Sequence, residues 1–440
     1  MRRILKNWIT KIKSGKPNSH IFFPRKAWGI FCRHFLYRSI PHGVVGIQYL
    51  FPGRSHKLKT HFRIWLQSLP KLPLPFFLLL EFFLWLRWVM FSGWRNTLRC
   101  VQKMGPEFKK QYGVGLFLQF RQILFLSLFY CIPPCEIYTF RLIKSKNSQG
   151  ACILDYIFTN ELPGFHRWRS SMYGQNRESI TLLQDKYRLT SYLEKRGVPM
   201  VPIVKVLHPK EFFDFFSCFQ EFSRLLCKPR NGSAGKGIFV VTSKDEGKQL
   251  EVFKTISGVI TSQTTYSCLK KAFCMNDYLV QPFVINHPVL ADLCNTLDAV
   301  TIRIITELKP HGSYSCFCAM LEVPVVDVEN PEFKPPLHVI LPIDFNTGKI
   351  KPFPGYILNM SAKLHYDRVC AEMNKHSIPF WIKMRESAIN AHGLFSDIYA
   401  IAWDFVVNSD GHFLLEGNIG WGCKMPQIIT GGLLKNTQCK

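Results

Sequence analysis

Hydrophobic and polar positions change their pattern near residue 150. Before it, apolar side chains come in dense runs. Phe76 to Phe91 reads FFLLLEFFLWLRWVMF after the proline-bounded stretch Pro70–Pro75, and Leu116 to Ile132 forms a second run. Each is shorter than the ~20 residues a membrane span usually needs. The first contains Glu81 and Arg87, and the second Gln119, Arg121 and Gln122. Charged residues are costly at a bilayer centre, so buried or interfacial helices fit these runs better than spans. A polar stretch, IKSKNSQG at Ile143 to Gly150, then marks a boundary between a helical region, 1–150, and a mixed region, 151–440.

Beyond the boundary, helix and strand patterns alternate. Asp185 reads as an N-cap, Lys186 to Arg196 as a short helix, Gly197 as its stop and Pro199 as its exit. Leu225–Cys227 and Ile238–Thr242 read as buried strands, and Asp277–Val284 (DYLVQPFV) as a strand running into a linker. EFFDFFSCFQEF, from Glu211 to Phe222, predicts a helix whose packing face is Phe212, Phe213, Phe215, Phe216 and Phe219. HRWRS, at His166 to Ser170, is basic and aromatic and reads as a solvated loop in preference to a contact for an anionic acceptor. In Val300–Thr306 strict alternation puts Val300, Ile302 and Ile304 on a core and Thr301, Arg303 and Ile305 on the opposite face.

Composition narrows the partners. The 440 residues suffice for two or three domains, and 47% hydrophobic content supplies a core. A formal charge of +26 favours an anionic partner such as nucleotide phosphates, an acidic polymer or an anionic lipid surface, although a generally basic surface has the same sum. The start, MRRILKNWITKIKSGK, is basic and has no apolar core of a signal peptide. With fifteen scattered cysteines and no paired zinc spacing, reduced thiols and a cytoplasmic setting are expected. With many Trp, Arg and Lys nearby, residues 1–150 fit a peripheral helix on an anionic surface, the inner face of the plasma membrane. They fit equally a helical domain packed on a catalytic body.

Candidate chemistry begins near the C-terminus. WDFVVNSDGHFLLEGN, Trp403 to Asn418, reads as a hairpin turning at Asn408–Gly411. A three-residue loop, Ser409-Asp410-Gly411 with Gly411 left-handed, sets Asp404 opposite Glu416. Glu416 and Asn418 then share a face, and Phe413 and Leu415 point away. A two-residue loop would put the acids on opposite faces. Two carboxylates and an amide oxygen are the hard set that Mg²⁺ takes; a solvated edge strand carries the same pattern. Upstream, KPRNGSAGKG at Lys228 to Gly237 joins two strands. Its glycines permit close backbone approach to phosphate, with Lys228 and Lys236 adding charge, although a flexible basic hairpin looks the same. Gln281, Pro282, Phe283 and Val284 form a linker whose backbone can read an adenine edge, or simply an ordinary buried strand. Arg303 in mid-strand must pair, either with an acid such as Glu307 or with an anion, and its planar fork favours phosphate.

In this order the pieces resemble the ATP-grasp superfamily. More narrowly they are similar to sugar-transfer-associated ATP-grasp proteins and α-L-glutamate ligases. The likeness rests on DKYRLTSYLEKRGVPMVP, CKPRNGSAGKGIFVV, TIRIIT, PIDFNTGKI, WDFVVNSDGHFLLEGN and Gln427. It implies an α+β fold whose two subdomains, about 180–284 and 285–440, clasp ATP. It further implies that Lys186, Lys228, Asn231, Gly232, Ser233, Gly235, Lys236 and Gly237 contact ATP, with Arg303 and Lys228 assisting phosphoryl transfer. Asp404, Glu416 and Asn418 would hold one or two Mg²⁺, or Mn²⁺.

The implied reaction activates a carboxylate as an acylphosphate and joins it to an amine or similar nucleophile, in cell-envelope or polysaccharide biosynthesis. The acceptor would be a small molecule or a lipid-linked or polymeric anion. Departures from the family pattern are Gln281-Pro282 where acids are common, Val300 where Asn is common, and no evident N-terminal α/β domain. Two alternatives stay open: an ATP-grasp kinase acting on a sugar or lipid hydroxyl, and a non-enzymatic basic module binding anionic lipid or nucleic acid. Nucleic acid is disfavoured, because such a module leaves the acidic trio unexplained.

Overall fold

A computed structural model describes residues 46–51, 53, 55–68, 73–143, 152–211, 213–232, 235–244, 249–256, 259–325, 337–352, 367 and 377–435. The basic start, the polar boundary at 144–150, Phe212 and Ser233 lie outside the described residues. The chain divides into two compact units, one of residues 1–152 with 158–161, the other of 153–157 with 162–440.

The described part of the first unit is helical: α1 (Ile47–Leu50), α2 (His56–Ser68), α3 (Leu74–Arg87), α4 (Gly93–Tyr112), α5 (Leu116–Tyr130) and α6 (Pro134–Thr139). The first apolar run does not stop at Phe91. A π turn, Trp88–Ser92, carries α3 into α4 without a break, giving one helix of 39 residues that is long and apolar enough to cross a membrane. The run looks short in the sequence because α4 continues it with polar residues, which end the apolar stretch without ending the helix. Phe77, Leu84 and Trp88 form the buried face, with Phe77 against Trp65. Gln119, polar within the second run, is fully buried and satisfied. Its Nε2 donates to Val114 O at 2.7 Å and Gly105 O at 3.1 Å, and its Oε1 accepts from Tyr138 Oη. Such pairing is what makes a buried amide tolerable.

The second unit is α+β. Its helices are α7 (Leu162–Ser171), α8 (Arg177–Gln184), α9 (Lys186–Glu194), α10 (Phe215–Cys218), α11 (Tyr266–Phe273), α12 (Pro288–Cys294), α13 (Trp381–Gly393) and α14 (Lys424–Thr430). One antiparallel sheet contains β1 (Lys205–Leu207), β2 (Arg224–Pro229), β3 (Phe239–Lys244), β4 (Gln249–Ile256), β5 (Val259–Thr264) and β6 (Tyr278–Pro282), in the order β1-β6-β2-β3-β4-β5. The other contains β7 (Thr301–Leu308), β8 (Tyr314–Val325), β9 (Leu337–Pro342), β10 (Ala400–Val407) and β11 (His412–Asn418), in the order β11-β10-β7-β8-β9. Ile302, Ile304, Trp403, Phe405 and Leu414 face the core of the second sheet, where Met384, Ala388 and Ala391 of α13 cover them.

Two expected elements differ. Among the described residues of 211–222 only the one-turn α10 is helical, and its start is set by the Asp214 carboxylate, which accepts from Phe216 N. Phe213, Phe215, Phe219 and Phe222 still pack into the core, while Phe216 stays exposed. HRWRS is part of α7 and not a solvated loop, with Phe165 and Trp168 buried.

Candidate active site

The two sheets of the second unit face each other across a cleft of about 520 Å³. One wall is the loop after β2. Asp185 caps α9 by accepting from Tyr187 N and Arg188 N, each at 3.1 Å. The same carboxylate takes Arg230 at 2.7 and 2.9 Å, so the helix start and the loop are tied together. Lys186 Nζ donates to Gly232 O at 2.6 Å and lies 3.4 Å from Glu416 Oε2, bridging the cleft. Gly235 and Gly237 have φ of +64° and +74°, which only glycine adopts at little cost, and Tyr278 Oη donates to Gly237 O at 3.0 Å. Lys228 projects from β2 at 6% exposure. Burial pulls its ammonium down to about 8; Glu416 opposes this and Lys186 adds to it.

The acidic wall comes from β7, β8, β10 and β11, and its register has an unexpected origin. The β10–β11 turn has a two-residue loop: Asn408 N donates to Gly411 O at 3.0 Å, and Asn408 Oδ1 accepts from Asp410 N and Gly411 N. Gly411 is not left-handed, and the expected three-residue loop is not formed. From that turn Val406 pairs with Phe413 and Phe405 with Leu414; a bulge then inserts Leu415, and Asp404 pairs with Glu416. The acids face each other as expected, but a bulge and not the loop length brings them there. The bulge also corrects the faces. Leu415 lines the cleft beside Glu416, Phe413 is paired with the cleft residue Val406, and Leu414 turns into the core. Gly417, between Glu416 and Asn418, lies against Trp403, whose ring atoms would be 2.5 Å from an added Cβ.

Arg303 is paired with acids other than Glu307, not left open for an anion as its planar fork suggested. Its Nε and Nη2 grip Asp404 at 2.7 and 2.9 Å, and its Nη1 reaches Glu322 Oε1 at 2.8 Å. Glu307 pairs with Lys309 instead; on the regular strand β7 it lies four residues, about 13 Å, from Arg303. Asn418 Nδ2 donates to Glu416 Oε1 at 3.2 Å and Asp404 Oδ2 at 3.3 Å, so the trio converges. Burial pushes Asp404 up to about 6; Arg303 opposes this, and Glu416 and Glu322 reinforce it. Burial also works against the Arg303 guanidinium, yet Asp404 and Glu322 hold it protonated beyond its ordinary range. For Glu416, burial is outweighed by Lys186, Asn418 and Lys228, which hold the carboxyl low.

Lys186, Lys228, Gly232, Gly235, Lys236, Gln281, Pro282, Phe283, Val284, Arg303, Asp404, Glu416 and Asn418 all line the one cleft. Asn231 and Gly237 belong to the loop without lining the cleft. Gln281 is buried, its Nε2 donates to Val201 O at 2.8 Å, and its Oε1 has no partner among the described residues. Phe283 N is taken by Arg224 O, which leaves that amide unable to read a ligand. Thr255 lines the cleft with a buried hydroxyl that has no partner among the described residues.

Sequence reasoning missed Glu322, Arg230 and Trp421. The signal for Glu322 was a lone acid interrupting the apolar run CFCAMLEV. Trp421 lines the cleft, and His166 holds its loop: Nε2 bonds Trp421 O at 2.8 Å and Nδ1 bonds Tyr399 Oη. Burial lowers His166 and keeps it neutral.

The donor set fits a hard divalent cation: two carboxylates and an amide that can present its oxygen. Among the described residues no three His, Cys, Asp or Glu side chains form a metal cluster, so ligand oxygens would complete the coordination. The orphaned Gln281 oxygen fits a ligand N–H donor.

No curated protein matches the chain. Among solved structures, the N5-carboxyaminoimidazole ribonucleotide synthetase of Thermotoga maritima is similar at 12% identity and TM-score 0.28, over 55% of this chain and 43% of that one. The D-alanine–D-alanine ligase of Bacillus anthracis complexed with ATP is similar at 12% identity and TM-score 0.33, over 59% and 70%. That of Coxiella burnetii is similar at 11% and 0.32, over 59% and 60%. The chain thus spans less than half of the first and less than two thirds of the third. The profile of the sugar-transfer associated ATP-grasp family matches residues 169–439, well over half of the sequence. The cleft between two α+β layers is therefore that of an ATP-grasp fold, and the chain belongs to the sugar-transfer associated ATP-grasp family.

Proposed function

We propose that this chain is an ATP- and Mg²⁺-dependent ligase that activates a carboxylate and joins it to an amine or similar nucleophile. The observation that carries this reading is the convergence in one cleft of Lys186 and Lys228 with Asp404, Glu416 and Asn418, Lys186 reaching both walls. Asp404, Glu416 and Asn418 would hold Mg²⁺, which draws charge from the phosphate oxygens when bound. Lys186 and Lys228 offset the phosphate charge, and the loop's backbone N–H groups approach it closely. Arg303, held between Asp404 and Glu322, steadies the charge on the transferring phosphoryl group.

In the reaction an acceptor carboxylate oxygen attacks the γ-phosphorus, and the bond to the bridging oxygen breaks with its electron pair leaving on ADP. The nucleophile then displaces phosphate from the acylphosphate, losing one proton. No step needs a nucleophile from the protein, which accords with a cleft whose side chains position and neutralise. The family's link to sugar transfer supports a carboxylate acceptor of envelope or polysaccharide assembly, made on the cytoplasmic side where ATP is.

The test is ATP consumption with Mg²⁺ across amino acids, amino sugars and lipid-linked sugars carrying carboxylates. The ligase reading expects ADP and free phosphate in equal amounts, dependent on both acceptor and nucleophile. Phosphate retained on a hydroxyl acceptor would replace it with a kinase.

A further inference from the structure

Outside the cleft, the largest unexplained feature is the outward face of α3 and its π turn in the first unit. Between Leu74 and Ser92 the charged side chains are Glu81 and Arg87; Glu81 is 6% exposed, and Arg87 is half-buried. Every exposed residue of that stretch is apolar, with Phe76, Phe82, Phe83 and Phe91 each more than half exposed. The fourteen residues of α3 and the five of the π turn rise about 28 Å, close to the ~30 Å of a bilayer's apolar layer.

The character changes at Trp94. From there Trp94, Arg95, Arg99 and Lys103 are exposed, an aromatic and basic collar where the apolar stretch ends. Alongside, Trp85 Nε1 donates to Leu128 O at 3.1 Å and docks α5, which presents Phe117 at 80% exposure and Phe125 at 51%. Arg121 lies between those two on the same face; its long stem lets the guanidinium reach out to phosphate while the methylenes stay in apolar surroundings. Soluble monomers rarely leave a contiguous apolar face of this extent uncovered.

We propose that this face enters the apolar layer of an anionic lipid bilayer, with the Trp94–Lys103 collar at its phosphate headgroups. Aromatic residues and cations at the edge of an apolar stretch match the interfacial zone of such a bilayer. A second copy is the poorer occupant, because it would bring one chain of charge +26 against another. The proposal is independent of the nucleotide site.

The experiment is flotation of the full chain with vesicles of phosphatidylcholine alone and of phosphatidylcholine with phosphatidylglycerol in equal parts. The wild type is expected to float with the mixed vesicles and to remain bound in high salt. Phe82→Asp with Phe83→Asp, both at exposed positions, lowers the bound fraction at least tenfold with unchanged thermal melting. Arg95→Glu with Arg99→Glu removes the preference for phosphatidylglycerol. Leu297→Asp, at a 70% exposed position of the second unit, changes nothing. Three results would overturn the proposal: a wild type that stays in the aqueous fraction, a phenylalanine variant or a Leu297 variant that breaks this pattern, or a lipid-free wild type that self-associates through Phe82 and Phe83.

Discussion

The two walls of the cleft satisfy their charges in opposite ways. On the acidic wall each group has a partner: Arg303 holds Asp404 and Glu322, and Asn418 holds Asp404 and Glu416, all on paired strands. On the basic wall Lys228 is as deeply buried as Asp404, yet among the described residues no carboxylate lies within ion-pair distance of it. Its loop is bent by left-handed glycines and tied through Arg230, Gly232 and Tyr278. The acidic wall is built in advance, and the basic wall waits for its ligand. Strand pairing fixes the acids before any ligand arrives, whereas Lys228 stays in an unfavourable state that an anion would relieve.

The largest effect expected is on the built wall. Asp404→Asn and Glu416→Gln keep the shape but remove a charge that a divalent cation needs, so Mg²⁺-dependent ATP turnover falls at least ~10³-fold with the fold intact by circular dichroism. If either variant keeps more than a tenth of the activity, the acidic wall is not the metal's seat.

The waiting wall sets up a trade of function against stability. Lys228→Met removes a cation whose depression from 10.5 to about 8 corresponds to about 3 kcal/mol against the charged form. The variant melts higher, by about 2 kcal/mol in unfolding free energy, while its ATP affinity drops at least tenfold. A variant that loses stability would mean that Lys228 has a partner holding it.

Part of this contrast could be read in the sequence and part could not. The shared face of Glu416 and Asn418 was legible because a strand's two-residue period is a local signal, whereas the expected three-residue loop reached the Asp404–Glu416 pairing by a turn the fold does not form. The helix cap at Asp185 was legible too. The bulge at Leu415 was not, since it depends on how β10 and β11 settle around Trp403 and Gly417. Nor were the Arg303 partners: Asp404 is 101 residues away, and Glu322 belongs to a strand whose pairing no local pattern specifies. The long helix through Ser92 was hidden because its second half loses hydrophobicity without losing helical geometry.

A smaller effect is a pH dependence. Lys228 is depressed in the fold, so the folded state binds fewer protons than the unfolded one between about 8 and 10.5, and stability rises with pH in that window. Nucleotide binding runs the other way. As pH rises from 7 to 9 the ammonium is lost, and ATP affinity falls about tenfold by calorimetry. Lys228→Arg, charged throughout, flattens that slope; an equal slope in the variant would assign it elsewhere.

The smallest change expected is at Glu322. Glu322→Gln leaves Arg303 with Asp404 alone, which tightens their grip and raises the Mg²⁺ concentration for half-maximal turnover about threefold, with KM for ATP unchanged. A shift in KM without one in Mg²⁺ dependence would place Glu322 at the nucleotide instead.

The most direct measurement is calorimetric titration of the full chain with ATP, with and without Mg²⁺, repeated with Asp404→Asn. Convergence of the two walls predicts that the wild type binds ATP at least tenfold more tightly with Mg²⁺, and that Asp404→Asn abolishes this difference while still binding free ATP through Lys186 and Lys228. A wild type that binds no ATP, or an Asp404→Asn protein whose Mg²⁺ enhancement is intact, would contradict it.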